Sequence, residues 1–495
     1  MNRFSAHIPE RRGTQLAWLG STLAVAILVR LALWFLYRPV PYSDTPSYRR
    51  LAESVLAGFD RYDGTRTPGY PAFLALVGGD ERVWIVQMAL GVLVSLLLFY
   101  LGRQLSGRSW FGALLAVAHT LNLGQLFFEA NLLTETLTTF YLAVAFTGVY
   151  LLLRQEIRLM WGLAAVTGVA VSLALLTRPL FVYLPVWVGL FIAWRPPPCP
   201  PPFSIIENGG GGKAAFQANK ANFLTPFDLR RLATLVLPVL LLVGGWVLFI
   251  HQRFGDWGLT TMTGYHLVQH TGSYFDYVPD EYAELRDTYI QFRDAKIAAT
   301  GTQTNAIWEA IPEMSRVSGL NFYDLSRTLA RISVDLIREH PDLFLQNVAQ
   351  GWWMFWRTPV YWSAEALQVP GLTGGIQGLV TIARALLVAV NAFFVVGSLV
   401  WLSVCILPLR LVRRLPSILQ RLRATFRPGD DLPGRGSINQ QFMLFIAGNI
   451  WITSILQSLL DHGDNPRFLV PLQSFAVLWV AWFILKTLRR PPNEI

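Results

Sequence analysis

Charge is scarce in this chain: Asp, Glu, Lys and Arg make up 15% of its 495 residues, while 53% are hydrophobic. Such a balance excludes an ordinary soluble enzyme, which needs a charged exterior. Cysteine is nearly absent. The two present, Cys199 and Cys405, build neither a disulfide framework nor a thiolate zinc site. There is no glycine-rich phosphate loop, no Ser-His-Asp order and no zinc signature, which removes the nucleotide-loop, triad and zinc-hydrolase classes. No fixed-period repeat is present either, and the two halves show no inverted repeat of the kind many transporters carry.

Long apolar runs fill the space that charge leaves. A bilayer crossing needs about 20 such residues, and runs of that order occur at 16–37, 83–102, 110–126, 135–153, 159–177, 180–194, 232–252, 378–407, 439–459 and 468–485. The fold class expected is therefore an all-α polytopic membrane protein of about ten transmembrane helices. The first run follows Arg11 and Arg12 but is succeeded by Arg38-Pro39-Val40 rather than a small-residue cleavage site, so it is expected to be a retained helix.

A net charge of +10 raises the question of nucleic acid, and its placement answers it. With these spans, loops on the side of the N-terminus carry 22 Lys and Arg against 7 Asp and Glu; the opposite side carries 18 against 24. That asymmetry is the positive-inside pattern. It predicts a multi-pass protein of the inner (plasma) membrane with both termini cytoplasmic, its surplus charge serving topology rather than nucleic acid. Five parts follow: an N-terminal transmembrane module (1–195) with its first outer loop at 38–82, a cytoplasmic Pro/Gly-rich linker (196–231), a single crossing (232–252), an outer domain (253–377) and a C-terminal transmembrane module (378–495). Within the outer domain, 320–338 and 341–356 read as helices, the second bearing Trp352, Trp353, Phe355 and Trp356, suited to a membrane interface.

The loop at 38–82 organises the rest. Asp44 precedes Pro46 at a helix start, where it reads equally as a capping residue or as a functional acid. Tyr48, Leu51, Val55 and Phe59 then recur at helical spacing, predicting an amphipathic interfacial helix. The loop closes on Arg66-Thr67-Pro68-Gly69-Tyr70-Pro71. Asp44, Arg66, Glu129, Glu135, Arg178, Asp461, Asp464 and Arg467 all fall at the outer ends of spans. Together they suit chemistry on an anionic, lipid-borne substrate, with a carboxylate as base and guanidinium groups for phosphate. Each has a plain alternative: Glu129 and Glu135 as helix-start caps, Arg178 and Arg467 as anchors of short turns, and Arg30, inside the first span, as a snorkelling or paired cation. His266 and His270 stand four apart, a spacing open to a shared metal but more ordinary for solvated loop histidines.

These elements resemble a known family. Asp44-x-x-x-Tyr48, the Arg66 to Pro71 element, Thr134-Glu135, Arg178-Pro179 and Asn465-Pro466-Arg467-Phe468-x-x-Pro471 resemble, in order and side, the GT-C glycosyltransferases. Within these the nearest likeness is to bacterial relatives of the protein O-mannosyltransferases and to lipid A aminoarabinose transferases. The likeness runs from the first span to about Arg178 and resumes near Asp461. It implies outer loops with interfacial helices, a polyprenyl-phosphate-linked sugar donor, a lipid, glycan or protein acceptor, and an active site at the outer membrane face. It places Asp44 as the catalytic carboxylate of the first loop, acting on the acceptor, and Arg66, with Arg178 and Arg467, on the donor phosphate; Tyr48, Tyr70, Glu129, Glu135 and Asp464 would support the site or contact the acceptor. Many members carry Asp-Glu where this chain has Asp44-Thr45, so a divalent metal is left open and no cofactor is assigned. The alternative functions are a lipid or polysaccharide transporter and a non-catalytic subunit of an envelope-glycan assembly.

Overall fold

The computed structural model describes residues 10–154, 160–193, 226–406, 435–460 and 466–488, and among these the regular elements are all helices, joined by loops, with one isolated bridge between Val40 and Asn131. The helices are α1 (Arg12–Leu36), α2 (Thr45–Leu56), α3 (Gly69–Val77), α4 (Asp80–Ser106), α5 (Ser109–Thr120), α6 (Leu123–Ala130), α7 (Glu135–Arg154), α8 (Met160–Thr177) and α9 (Leu184–Ala193). Then come α10 (Pro226–Val239), α11 (Gly245–Phe254), α12 (Thr263–Thr271), α13 (Ala283–Thr300), α14 (Ala306–Ser318), α15 (Phe322–Glu339), α16 (Pro341–Phe355), α17 (Thr373–Ile406), α18 (Arg435–Leu460) and α19 (Val470–Leu488).

Among the described residues eight helices are long and apolar enough to cross a membrane, or nine if the bent pair α5 and α6 counts as one crossing. The remaining apolar run, the sixth in chain order, is a shorter helix at Pro179–Ala193. This is a polytopic all-α membrane protein. Helices α7, α8, α18 and α19 form its packed centre, where Phe146, Phe445, Phe475, Trp479 and Trp482 interlock. Leu28 and Leu31 of α1, Leu240 and Leu241 beyond α10, and Leu379, Ile382 and Leu386 of α17 stay exposed. In water such rows would drive aggregation; in a bilayer they face the lipid, where only satisfied helical backbone is stable.

Four local features differ from the sequence reading. The run at 110–126 is broken: α5 and α6 meet at 54°, and Asn122 caps the new start by accepting from the Gly124 amide at 3.0 Å. The crossing at 232–252 begins at Pro226, because proline is tolerated in a first helical turn, so 226–231 are helix rather than linker. Residues 196–225 of that linker lie outside the described ones. The expected interfacial helix is α2, with Leu51 and Tyr48 turned inward and Arg49 and Arg50 paired with Asp80 and Asp63. It packs against α3 and the protein rather than resting on lipid alone. Finally, of the tryptophans on α16 only Trp353 is exposed; Trp352 stacks on Trp451 of α18, and the adjoining Trp356 meets the same ring edge-on.

Helices α12 to α15, with α16 along one side, form a small helical domain with its own core. Leu325, Leu329, Ile332 and Leu336 recur on one face of α15 and close on Tyr265, Val268, Tyr289, Ile307 and Met314. Asn321 starts α15, accepting from the amides of Tyr323 and Asp324 at 2.9 and 3.0 Å. The domain and the 38–82 loop share one end of the bundle: the Thr261 amide donates to the Gly64 carbonyl at 3.0 Å, and Tyr42 packs on Tyr361.

Candidate active site

The loop after α1 is held by backbone and by one hydroxyl. Val40 donates to the Ala130 carbonyl at 3.0 Å and accepts from the Leu132 amide at 3.1 Å. Thr45, fully buried, accepts from the Tyr42 amide at 2.8 Å and donates to the Leu132 carbonyl at 3.0 Å. Asp44 occupies the N-cap position of α2, yet its side chain caps nothing. Thr45 does the anchoring, which leaves the Asp44 carboxylate to face elsewhere.

It faces two arginines. Arg66 donates to Oδ1 and Arg467 to Oδ2, each at 2.8 Å. Glu135, the first residue of α7, lies behind Arg467: its Oε1 is 3.9 Å from the Arg467 Nε and 3.3 Å from Arg178. These are ion-pair distances without hydrogen-bond alignment, so both Glu135 oxygens, together with Nε of Arg66, Nε of Arg467 and one terminal nitrogen of Arg178, are buried without a hydrogen-bond partner. The Arg66 guanidinium also lies 5.6 Å from the Tyr48 ring, and that of Arg178 lies 4.7 Å from Phe468. Among the described residues, three cations and two carboxylates thus share one site, with a net charge of +1 and donors left over. Its accessible edge is Arg66, Arg467 and Asp44, whose side chains are 28%, 19% and 15% exposed, against 1% for Glu135.

Burial pushes the Asp44 carboxyl up, but Arg467 and Arg66 outweigh it and hold the group below the usual carboxylate range. Burial lowers the proton affinity of Arg178, and Glu135 opposes that. For Tyr48, burial raises the phenol, so it serves as a neutral wall of the site.

Gly69 explains how the two sides meet. A Cβ there would lie 2.6 Å from the Leu176 carbonyl oxygen and 2.7 Å from the Thr177 amide, so only glycine lets the start of α3 close on the end of α8. That contact sets the Arg66 loop beside Arg178, which follows Thr177 and is stopped from continuing the helix by Pro179. Gly69→Ala is expected to cost about 1–3 kcal/mol, as overpacking does, and to lower the melting temperature in detergent. A variant as stable as the parent would show that α3 and α8 separate freely.

Of the residues expected to form the site, Asp44, Arg66, Arg178, Arg467, Glu135 and Tyr48 are brought together. Tyr70 packs edge-on against Tyr48 at 5.0 Å and donates to the Gln87 Oε1 at 3.2 Å, behind the site. Glu129 is elsewhere. It sits near the end of α6, not at a helix start, and takes a two-pronged contact from Arg30 at 2.5 and 2.8 Å, both side chains buried. Asp461 and Asp464 lie outside the described residues. His266 and His270 are on α12 of the helical domain. Among the described residues no group of three or more His, Cys, Asp or Glu side chains is arranged to hold a metal ion. Thr45, Gln87 and Phe468 were missed: a threonine, a glutamine inside an apolar run and a phenylalanine beside an arginine carry no signal until partners from distant segments are known.

No protein-family model and no curated protein matches the chain. Among solved structures it is similar to the crystal structure of ArnT from Cupriavidus metallidurans bound to undecaprenyl phosphate. The two share 12% identity over 95% of this chain and 77% of that one, with a TM-score of 0.32.

Proposed function

We propose that the protein is a membrane glycosyltransferase that moves a sugar from a polyprenyl-phosphate carrier to a hydroxyl of a lipid, glycan or protein acceptor. The observation that carries this reading is the buried group of three guanidiniums around two carboxylates, with N–H donors unspent and an ionised Asp44 at its accessible edge. A site with more cationic donors than internal acceptors is built for an anion. The donor phosphate would draw Arg66, Arg467 and Arg178 to itself, and in doing so release Asp44 from the pairing that suppresses its basicity. The acceptor oxygen then attacks the anomeric carbon, the bond to the phosphate oxygen breaks with its electron pair going to phosphate, and the acceptor proton passes to Asp44. Attack opposite the leaving group inverts the anomeric centre. The arginines match the charge that grows on the departing phosphate, so catalysis rests on positioning and preorganised charge.

Arg66→Ala tests the phosphate assignment. The phosphate is present in both ground and transition states, so the variant should weaken donor binding as well as turnover. Loss of turnover with donor affinity unchanged would take Arg66 off the phosphate. The outer-face placement follows from the charge asymmetry of the loops. A cysteine at Thr302, an exposed residue of the helical domain, should react with a membrane-impermeant thiol reagent in intact spheroplasts, and one at Arg108, exposed on the short turn between α4 and α5, only after permeabilisation. Labelling of Thr302 only from within would reverse the orientation and move the site to the cytoplasmic face.

A further inference from the structure

The helical domain holds a cavity of about 470 Å³, within the range of about 300–1,000 Å³ usual for small-molecule sites. It lies between α13 and α16, and none of its lining residues belongs to the arginine group. Apart from the Arg293–Asp294 ion pair, the lining is uncharged and rich in hydrogen-bonding side chains: Thr302, Gln303, Thr304, Asn347 and Gln350, over an apolar floor of Ile297 and Met354. Its one cation is spent. Arg293 donates to Asp276 at 2.6 and 3.2 Å, to Asp294 at 2.9 Å and to the Gly272 carbonyl at 3.3 Å, so it has no charge to offer an anion.

A second observation points to a ligand. Gln303 and Thr304 also wall a side recess with Gln269 and Tyr289, of about 10 Å³, close to the room one water needs. There the Oε1 atoms of Gln269 and Gln303 are buried without a hydrogen-bond partner, and Gln269 is itself only 8% exposed. Buried amide oxygens without donors are costly. A ligand that supplies hydroxyl groups, directly or through a water in the recess, relieves them.

We infer that this cavity binds a neutral saccharide, and, on the glycosyltransfer reading, that it holds the glycan part of the acceptor. Amides and hydroxyls match sugar hydroxyls, Met354 and Ile297 match the C–H face of a pyranose, and the neutralised Arg293 gives no reason to prefer an acid. Helix α16 links the two places. It lines the cavity with Gln350, Gly351 and Met354 and also packs against the Pro466–Leu469 turn that carries Arg467.

The test is equilibrium binding of β-1,4-linked glucose, mannose and N-acetylglucosamine trisaccharides to the purified full-length protein, with trigalacturonate as the charged comparison. A double variant, Thr302→Leu with Gln350→Leu, removes hydrogen-bonding groups at two exposed positions and keeps apolar bulk. At least one neutral trisaccharide should bind the parent and Asp44→Asn alike, and bind the double variant at least roughly tenfold more weakly at an unchanged melting temperature, as expected when a ligand hydrogen bond is lost. Absence of binding by every neutral sugar, preference for trigalacturonate, or full binding by the double variant would each overturn the assignment. Retained binding by Asp44→Asn, together with undiminished sugar transfer by that variant, would instead defeat the transfer mechanism and leave the saccharide site standing.

Discussion

Asp44→Asn is expected to lower sugar transfer by roughly 10²-fold or more, as loss of a general base does, with insertion and donor binding retained. The substitution is informative because the geometry separates two roles that the sequence leaves merged. If Asp44 were a cap, asparagine would replace it at little cost; but its side chain makes no capping bond and instead spans Arg66 and Arg467. The readout is turnover of purified protein with native lipid extract as donor and acceptor source, with product detected by mass. Unchanged turnover would remove Asp44 from the chemistry.

The same variant carries a stability signature. The folded Asp44 carboxyl titrates below its unfolded value, so its pairing contributes stability above the unfolded pKa of about 4. That contribution is lost as pH falls through the lower, folded value. The stability advantage of the parent over Asp44→Asn should therefore shrink on acidification below about pH 4. An advantage constant across that range would mean that the carboxylate is not held by the two arginines.

The second large effect is expected inside the bundle, at Arg30 and Glu129. Removing one partner of a buried ion pair leaves a charge without compensation, at a cost of about 3–5 kcal/mol. Arg30→Met or Glu129→Met alone should lower the melting temperature in detergent far more than the two combined, since the double variant buries no orphan charge. The consequence reaches the site through the chain. Glu129 begins a strip whose carbonyls, at Glu129 and Asn131, accept from the Gln87 amide at 2.8 and 3.0 Å, and whose Leu132 carbonyl accepts from Thr45 beside Asp44. Single variants that retain both full stability and full turnover would show the pair to be dispensable.

How much of this was legible beforehand follows from particular residues. The ten apolar runs, the helix after Asp44 and the helices near 320–338 and 341–356 could be read because hydrophobic length and period are local properties. The side on which Asp44, Arg66, Glu135, Arg178 and Arg467 collect was readable for a related reason: counting crossings assigns each loop to an end of the bundle. Within that end, the sequence left every residue with two meanings. Arg178 could anchor a turn or bind phosphate, and Glu129 and Glu135 looked alike.

Tertiary structure decided among them. Glu129 and Glu135 are six positions apart, yet the bend between α5 and α6 carries the first to Arg30 in the bundle, while the start of α7 puts the second behind Arg178 and Arg467. Asp44 meets Arg467 across 423 positions of chain. The membrane-spanning fold class and the end of the bundle at which polar groups gather both follow from runs of neighbouring residues, and so were set before any packing. Which charges pair, which carboxylate stands at the accessible edge, and where a neutral cavity opens depended on the packing of distant helices, because ion pairs and cavities act over a few ångströms of space whatever the separation along the chain.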